Sequence, residues 1–229
     1  MRAVLLIGAN FVVEHRWTQL ILLLYVLLMS GTTVVGGAKR EDIIVLTRMM
    51  AVYGVGFAAV MASATVHNDR RTRRILSVLS KGITRGQYLA GAIVGIMLAM
   101  ATYCVLVGVG MGWAAAGTGV EAAAVWKFMA FTLCACALAV VTPLFFGAFV
   151  HPMFAMGLAG LTLGLAAFAP AAIRLALPVD VLARTLAGYS FVGGGLPWGA
   201  ALIALGDSVV LWAAATAIFS RRDIAVAVE

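Results

Sequence analysis

One carboxylate lies deep in an apolar run. Asp207 occupies "LIALGDSVVLW", with Ser208 beside it. At the centre of a membrane helix a carboxylate costs about 2.5–3.5 kcal/mol on insertion scales, so it is a candidate for function. It can pair with a cation on another helix, line a hydrated cavity, or stay protonated. The structural alternative is a hydrogen bond to a neighbouring helix, with Ser208 as a companion. Hydrolysis by carboxylates needs two of them, sharing a proton across a water. Asp207 is the only aspartate in a run long enough to cross a membrane, because Asp180 falls in a loop.

Other chemistries fare no better. The run Ala204-Leu205-Gly206-Asp207 is similar to the G-x-G-D of intramembrane aspartyl proteases, but Ala204 replaces the first glycine and no Tyr-Asp occurs. Ser63 and Ser208 have no histidine near them in mid-membrane. His15, His67 and His151 are isolated near segment ends, and no metal cluster follows from them. Cys104, Cys134 and Cys136 lie in apolar stretches without a C-x-x-C and read as small core residues. No G-x-x-x-x-G-K-[ST] occurs. The glycine clusters "VVGGAKR", "GVGMGW" and "FVGGGLPWG" lack the Lys-Ser/Thr that would hold phosphate and magnesium. The chain reads as no enzyme, with no cofactor or metal of its own.

The elements that must position Asp207 follow from composition. Of 229 residues, 64% are hydrophobic and only 11% charged, against about a quarter charged in a soluble domain. Lipid is the solvent this implies. The formal charge of +7 then needs no nucleic-acid partner, since basic loops fix topology against anionic lipid. The N-terminal "MRAVLLIGANFVVEHRW" resembles a signal peptide only superficially. Asn10 interrupts its apolar run, Glu14-His15-Arg16 follows, and no small-x-small cleavage site appears. It reads as an interfacial helix over 1–16.

The expected fold is all-α and integral to the membrane, a single transmembrane domain over 1–229. Six apolar segments can span: about 17–35, 49–66, 88–112, 126–149, 153–173 and 198–219. Trp17, Trp113, Trp126 and Trp198 fall at segment ends, where an indole sits at the headgroups. With both termini in the cytoplasm, ten arginines and lysines lie inside and six outside. The multi-pass cell-membrane topology follows. Thr142-Pro143 falls within the fourth span, and Gly91-xxx-Gly95 and Gly160-xxx-Gly164 are spaced for close helix contact.

The stretch "TVHNDRRTRRILSVLSKGITRGQYL" holds six of the inner cations: Arg70, Arg71, Arg73, Arg74, Lys81 and Arg85. As a helix, 70–81 gathers Ile75, Leu76, Val78 and Leu79 on an arc of roughly 160°. Arg70, Arg73, Arg74, Ser77, Ser80 and Lys81 lie opposite. Asn68 or Asp69 can cap its start and Gly82 its end. The plain reading is a topology signal on anionic lipid. The sharper one is a docking element for a cytoplasmic partner.

This segment resembles the loop of ABC-2 type transporter permeases, in which "T-x-x-x-L-S-x-P-I-S/T-R-x-x-Y-L-x-G-K" leads into the third span. Thr72, Leu76, Leu79, Ser80, Ile83, Thr84, Arg85, Tyr88, Leu89 and Gly91 match; Gly82 and Ala92 stand where proline and lysine are usual, and arginines replace the family's glutamates. The expected architecture is similar too, with a longer outer loop between the last two spans. The resemblance implies a permease subunit, an exporter, with a coupling helix that fits a cleft on a separate ATPase. It makes Arg70, Arg71, Thr72, Arg73, Arg74, Leu76, Leu79, Ser80, Lys81 and Arg85 the contact. It also implies ATP and Mg²⁺ on that partner, and a second copy or related permease chain completing the pathway, with spans one, two and five as its walls. Two further readings stand beside it: a non-transporting scaffold or sensor coupled to an ATPase, and a haem-exporter-type permease. No histidine- or tryptophan-rich outer motif favours the latter.

Overall fold

The computed structural model describes residues 2–14, 16–37, 39–71, 75, 78, 80, 82–147, 149–168, 186–193 and 195–221. Its regular elements are helices: α1 (Arg2–Glu14), α2 (Arg16–Val35), α3 (Arg40–Arg71), α4 (Arg85–Ala114), α5 (Ala122–Gly147), α6 (Pro152–Phe168) and α7 (Trp198–Arg221). Helices are what a lipid solvent demands, because each satisfies its own backbone polar groups.

Four stretches are long and apolar enough to cross a membrane: Arg40–Thr65 of α3, then α4, α5 and α7. The chain thus has the build of a helical membrane protein. Among the described residues, the expected first and fifth spans hold shorter apolar helices, Gln19–Thr33 and Met153–Thr162. The expected end of the fifth span, 169–173, lies outside the described residues.

The central post is α5. Of its apolar window 78% is buried, against 22% for α7, which lies at the periphery. It packs on α3, α4, α6 and α7. Its helix continues through Pro143, which has no N–H to give the preceding turn. Just before it, Thr142 Oγ1 donates to the Leu138 carbonyl at 2.8 Å.

Two elements differ from expectation. The segment 40–48, expected as an outer loop, is the first part of α3. Its acids explain this: Glu41 and Asp42 occupy the first turn, and Asp42 Oδ2 accepts the Lys39 N–H at 2.9 Å. Ile43, Thr47 and Met50 are buried at helical spacing on one face. At its other end α3 continues to Arg71, so Asn68 and Asp69 lie inside a helix and start no new one.

Meanwhile α1, expected as an interfacial helix, lies lengthwise on α4. A Cβ at Gly91 would stand 2.7 Å from Ile7 Cβ, and one at Gly95 would stand 2.7 Å from Phe11 Cβ. The four-residue step is equal and in the same direction on both helices, so they cross in parallel. The Gly91-xxx-Gly95 pair therefore serves close approach within one chain. Further along, Gly110 of α4 leaves room for Ser30 of α2. Thus α1 and α2 follow α4 in succession. Gln19 Nε2 of α2 donates to the Val12 carbonyl of α1 at 3.3 Å.

Mid-bundle, the Tyr103 hydroxyl donates to the Met50 carbonyl at 2.8 Å, and its ring rests on Gly54, where a Cβ would stand 2.7 Å away. Trp113, Trp126 and Trp198 lie at or near helix ends and are exposed. Trp113 ends α4, whereas Trp126 and Trp198 lie near the starts of α5 and α7. The side chain of Trp17 lies outside the described residues. Cys104 and Cys136 are buried, and all three cysteines are free thiols.

Candidate functional site

The run "ITRGQYL", which leads into α4, ties three helix ends together. Gly82 has φ +76°, a conformation that glycine adopts without strain, and it reverses the chain ahead of the helix. Thr84 then caps α4 in extended geometry (φ −72°, ψ 155°). Its Oγ1 accepts the Gln87 N–H at 3.2 Å, and Gln87 Oε1 accepts the Thr84 N–H at 3.1 Å. This reciprocal pair satisfies two backbone donors that the helix leaves free.

The next residues reach elsewhere. Arg85 Nη1 donates to the carbonyls of Phe219 at 2.5 Å and Ser220 at 3.0 Å, at the end of α7. Those carbonyls are orphans of the last turn and carry its partial negative charge, so a guanidinium suits them. The same group lies 5.7 Å from the Phe219 ring centroid. Gly86 admits Thr216, since a Cβ there would stand 2.9 Å from the Thr216 methyl. Tyr88 is buried, stacks on Phe219 at 6.4 Å, and donates its hydroxyl to Asp69 Oδ2 at 2.5 Å. Within this one short run, α4 is capped and joined to the ends of both α3 and α7.

The basic segment hangs from this joint. Ile75 is 1% exposed and part of the bundle core, and Val78 is half-buried against it. Both are helical. This part of the apolar arc faces the bundle. Ile75 and Val78 are thus not available to a partner. Val78 also borders a cavity of about 60 Å³ with Asn10, Thr65, Asp69 and Tyr88. That is far below the ~300–1,000 Å³ of ligand sites. Ser80 lies in an exposed turn. Arg70 and Arg71 belong to the last turn of α3, and their side chains lie outside the described residues. So do Thr72, Arg73, Arg74, Leu76, Leu79 and Lys81. Of the expected contact set, Arg85 has its guanidinium engaged within the chain.

Asp207 sits apart, midway along α7. Its Oδ2 is enclosed and has no hydrogen-bond partner among the described residues. Ser208 offers it none, because its Oγ donates to the Ala204 carbonyl at 2.7 Å. On the same helix, Ser208 and Trp212 border an open apolar groove of about 340 Å³ against α4 and α5.

At the opposite end a second link escaped sequence reasoning. Arg48 Nη2 donates to the Tyr189 carbonyl at 3.1 Å, and its guanidinium lies 5.9 Å from the Phe191 ring centroid. Tyr189 and Phe191 pack with Phe128 of α5, and the Tyr189 hydroxyl donates to the Ala124 carbonyl at 3.3 Å. Burial, and then the Glu121 carboxylate, push the Tyr189 phenol above its ordinary value. The available signal was a lone arginine inside "VLTRMMAV", a cation with no acid in the adjacent helical turns. Compared with known proteins, the chain matches no family model and no curated sequence.

Proposed function

We propose that this chain is the membrane-spanning permease subunit of an ATP-driven transporter of ABC-2 type, an exporter with six spans and both termini in the cytoplasm. In this reading the segment 70–81 is the coupling helix and docks on a separate ATPase that binds ATP and Mg²⁺. Two copies, or one copy with a related chain, line the pathway. The observation that carries the reading is the Arg85–Phe219 joint. A coupling element does work only if its displacement reaches several spans at once. Here the segment joins α3 to α4 covalently, and Arg85, Gly86 and Tyr88 bind that junction to α7. A push on 70–81 would therefore load three long helices together.

The test is co-purification with the candidate ATPase and reconstituted transport. Leu76→Asp with Leu79→Asp should abolish ATPase association while membrane insertion persists. Full association and full ATP turnover in that variant would sink the docking assignment. ATP turnover without solute movement in the native pair would leave a scaffold in place of a transporter.

A further inference from the structure

Among the described residues, Arg48 is a cation without an anion. It lies on the stretch Arg40–Thr65 of α3, which is long and apolar enough to cross a membrane, and is half-buried. Its described acceptor is the neutral Tyr189 carbonyl, its Nε is enclosed without a partner, and no carboxylate pairs with it among the described residues. A half-buried guanidinium on a helix of this kind is normally paired, or else it marks a ligand. Beside it opens a cavity of about 430 Å³, walled by one face of α3 (Arg48, Ala51, Val52, Val55) with Phe128 and Leu186. The volume falls within the ~300–1,000 Å³ of ligand sites, and like them this site sets a charged group among apolar walls. Such a wall excludes a small hydrated anion, which would lose its water for one cation. It suits a molecule that brings its own apolar tail.

We propose that this cavity binds an amphiphile with an anionic phosphate or carboxylate head, the head on Arg48 and the acyl chain along Val52 and Val55. Arg48 has a donor to spare for that head, because Nη2 alone serves Tyr189. The guest differs from general boundary lipid in needing both the charge and the slot. The site stands whether or not the chain moves solute, so its test involves neither ATP nor transport.

The experiment measures binding of labelled phosphatidylglycerol and phosphatidylcholine, with identical chains, to the full chain in a neutral detergent. The anionic lipid is expected to bind at least tenfold more tightly. Arg48→Gln should erase that preference and Arg48→Lys should keep most of it. Val52→Trp should weaken binding severalfold by filling the slot without touching the Arg48–Tyr189 bond. Lys39→Gln and Arg40→Gln, at exposed positions, should change little. Oleate should compete and inorganic phosphate should not; stronger competition by oleate than by oleoyl lysophosphatidic acid would assign the head as carboxylate, weaker competition would assign it as phosphate, and competition by neither overturns the proposal. Equal binding of the two lipids overturns the proposal, as does displacement by inorganic phosphate at the concentration where oleate acts. A preference that survives in folded Arg48→Gln overturns it too. Should Arg48→Gln fail to fold, undiminished binding in Val52→Trp overturns it equally.

Discussion

Arg85 holds the end of α7 through Phe219: Nη1 donates to the Phe219 carbonyl at 2.5 Å while the guanidinium lies against the Phe219 ring. The two residues are 134 positions apart in sequence. The bond joins the start of one span to the end of another. Arg85→Ala should lower stability by about 1–2 kcal/mol, from the lost charged hydrogen bonds and dipole pairing. Arg85→Lys should recover part of it, since a lysine keeps the charge and loses the planar fork. Thermal unfolding in detergent reads the loss. Equal stability of all three chains would show that the joint carries no energy.

Tyr88 and Asp69 form the matching link to α3. Tyr88→Phe keeps the ring on Phe219 and removes only the hydroxyl. A cost of about 1.5–3 kcal/mol is expected for a hydrogen bond to a carboxylate. The decisive measurement is a double-mutant cycle with Asp69→Asn, in which the two losses should fall short of additive by about 1 kcal/mol. Strict additivity would separate the two residues.

At Gly91 and Gly95 the neighbour in the way is a Cβ, which cannot swing aside as a side-chain tip can. Gly91→Val and Gly95→Val should each cost about 1–3 kcal/mol by overpacking and should push α1 off α4. A cysteine placed at Ala9 on α1, which is exposed, reports the displacement through a change in its rate of alkylation. Unchanged stability and unchanged alkylation in both variants would contradict the close crossing.

Asp207→Asn replaces a carboxyl group whose Oδ2 has no partner among the described residues. Stability in detergent should hold or rise, because the charged form costs about 2.5–3.5 kcal/mol at a helix centre. Transport by the reconstituted complex should nonetheless fall severalfold if Asp207 lines the pathway. A variant that unfolds more readily and transports normally would return Asp207 to a structural role.

Much of the fold was legible along the chain. Apolar runs of sufficient length mark α4, α5 and α7, because helix formation in lipid depends on residue type and length alone. The third span is expected from 88, and its helix begins three residues earlier, at Arg85, because Thr84 and Gln87 form a cap within one turn. Local signals also misled. The charges of "GAKREDIIVLTR" read as a loop, yet Glu41 and Asp42 are the first turn of α3, where a helix favours acids. Only the tertiary structure decided which faces meet. In water a buried face is apolar and its opposite polar, so periodicity reveals the core. In lipid both faces are apolar, and the sequence of α5 does not say which side packs. The partners of the few polar groups were equally hidden, because Arg85 meets Phe219 and Arg48 meets Tyr189 across most of the chain. Residue types determined that these cations would need acceptors. The bundle alone determined that one caps a helix and the other faces a cavity.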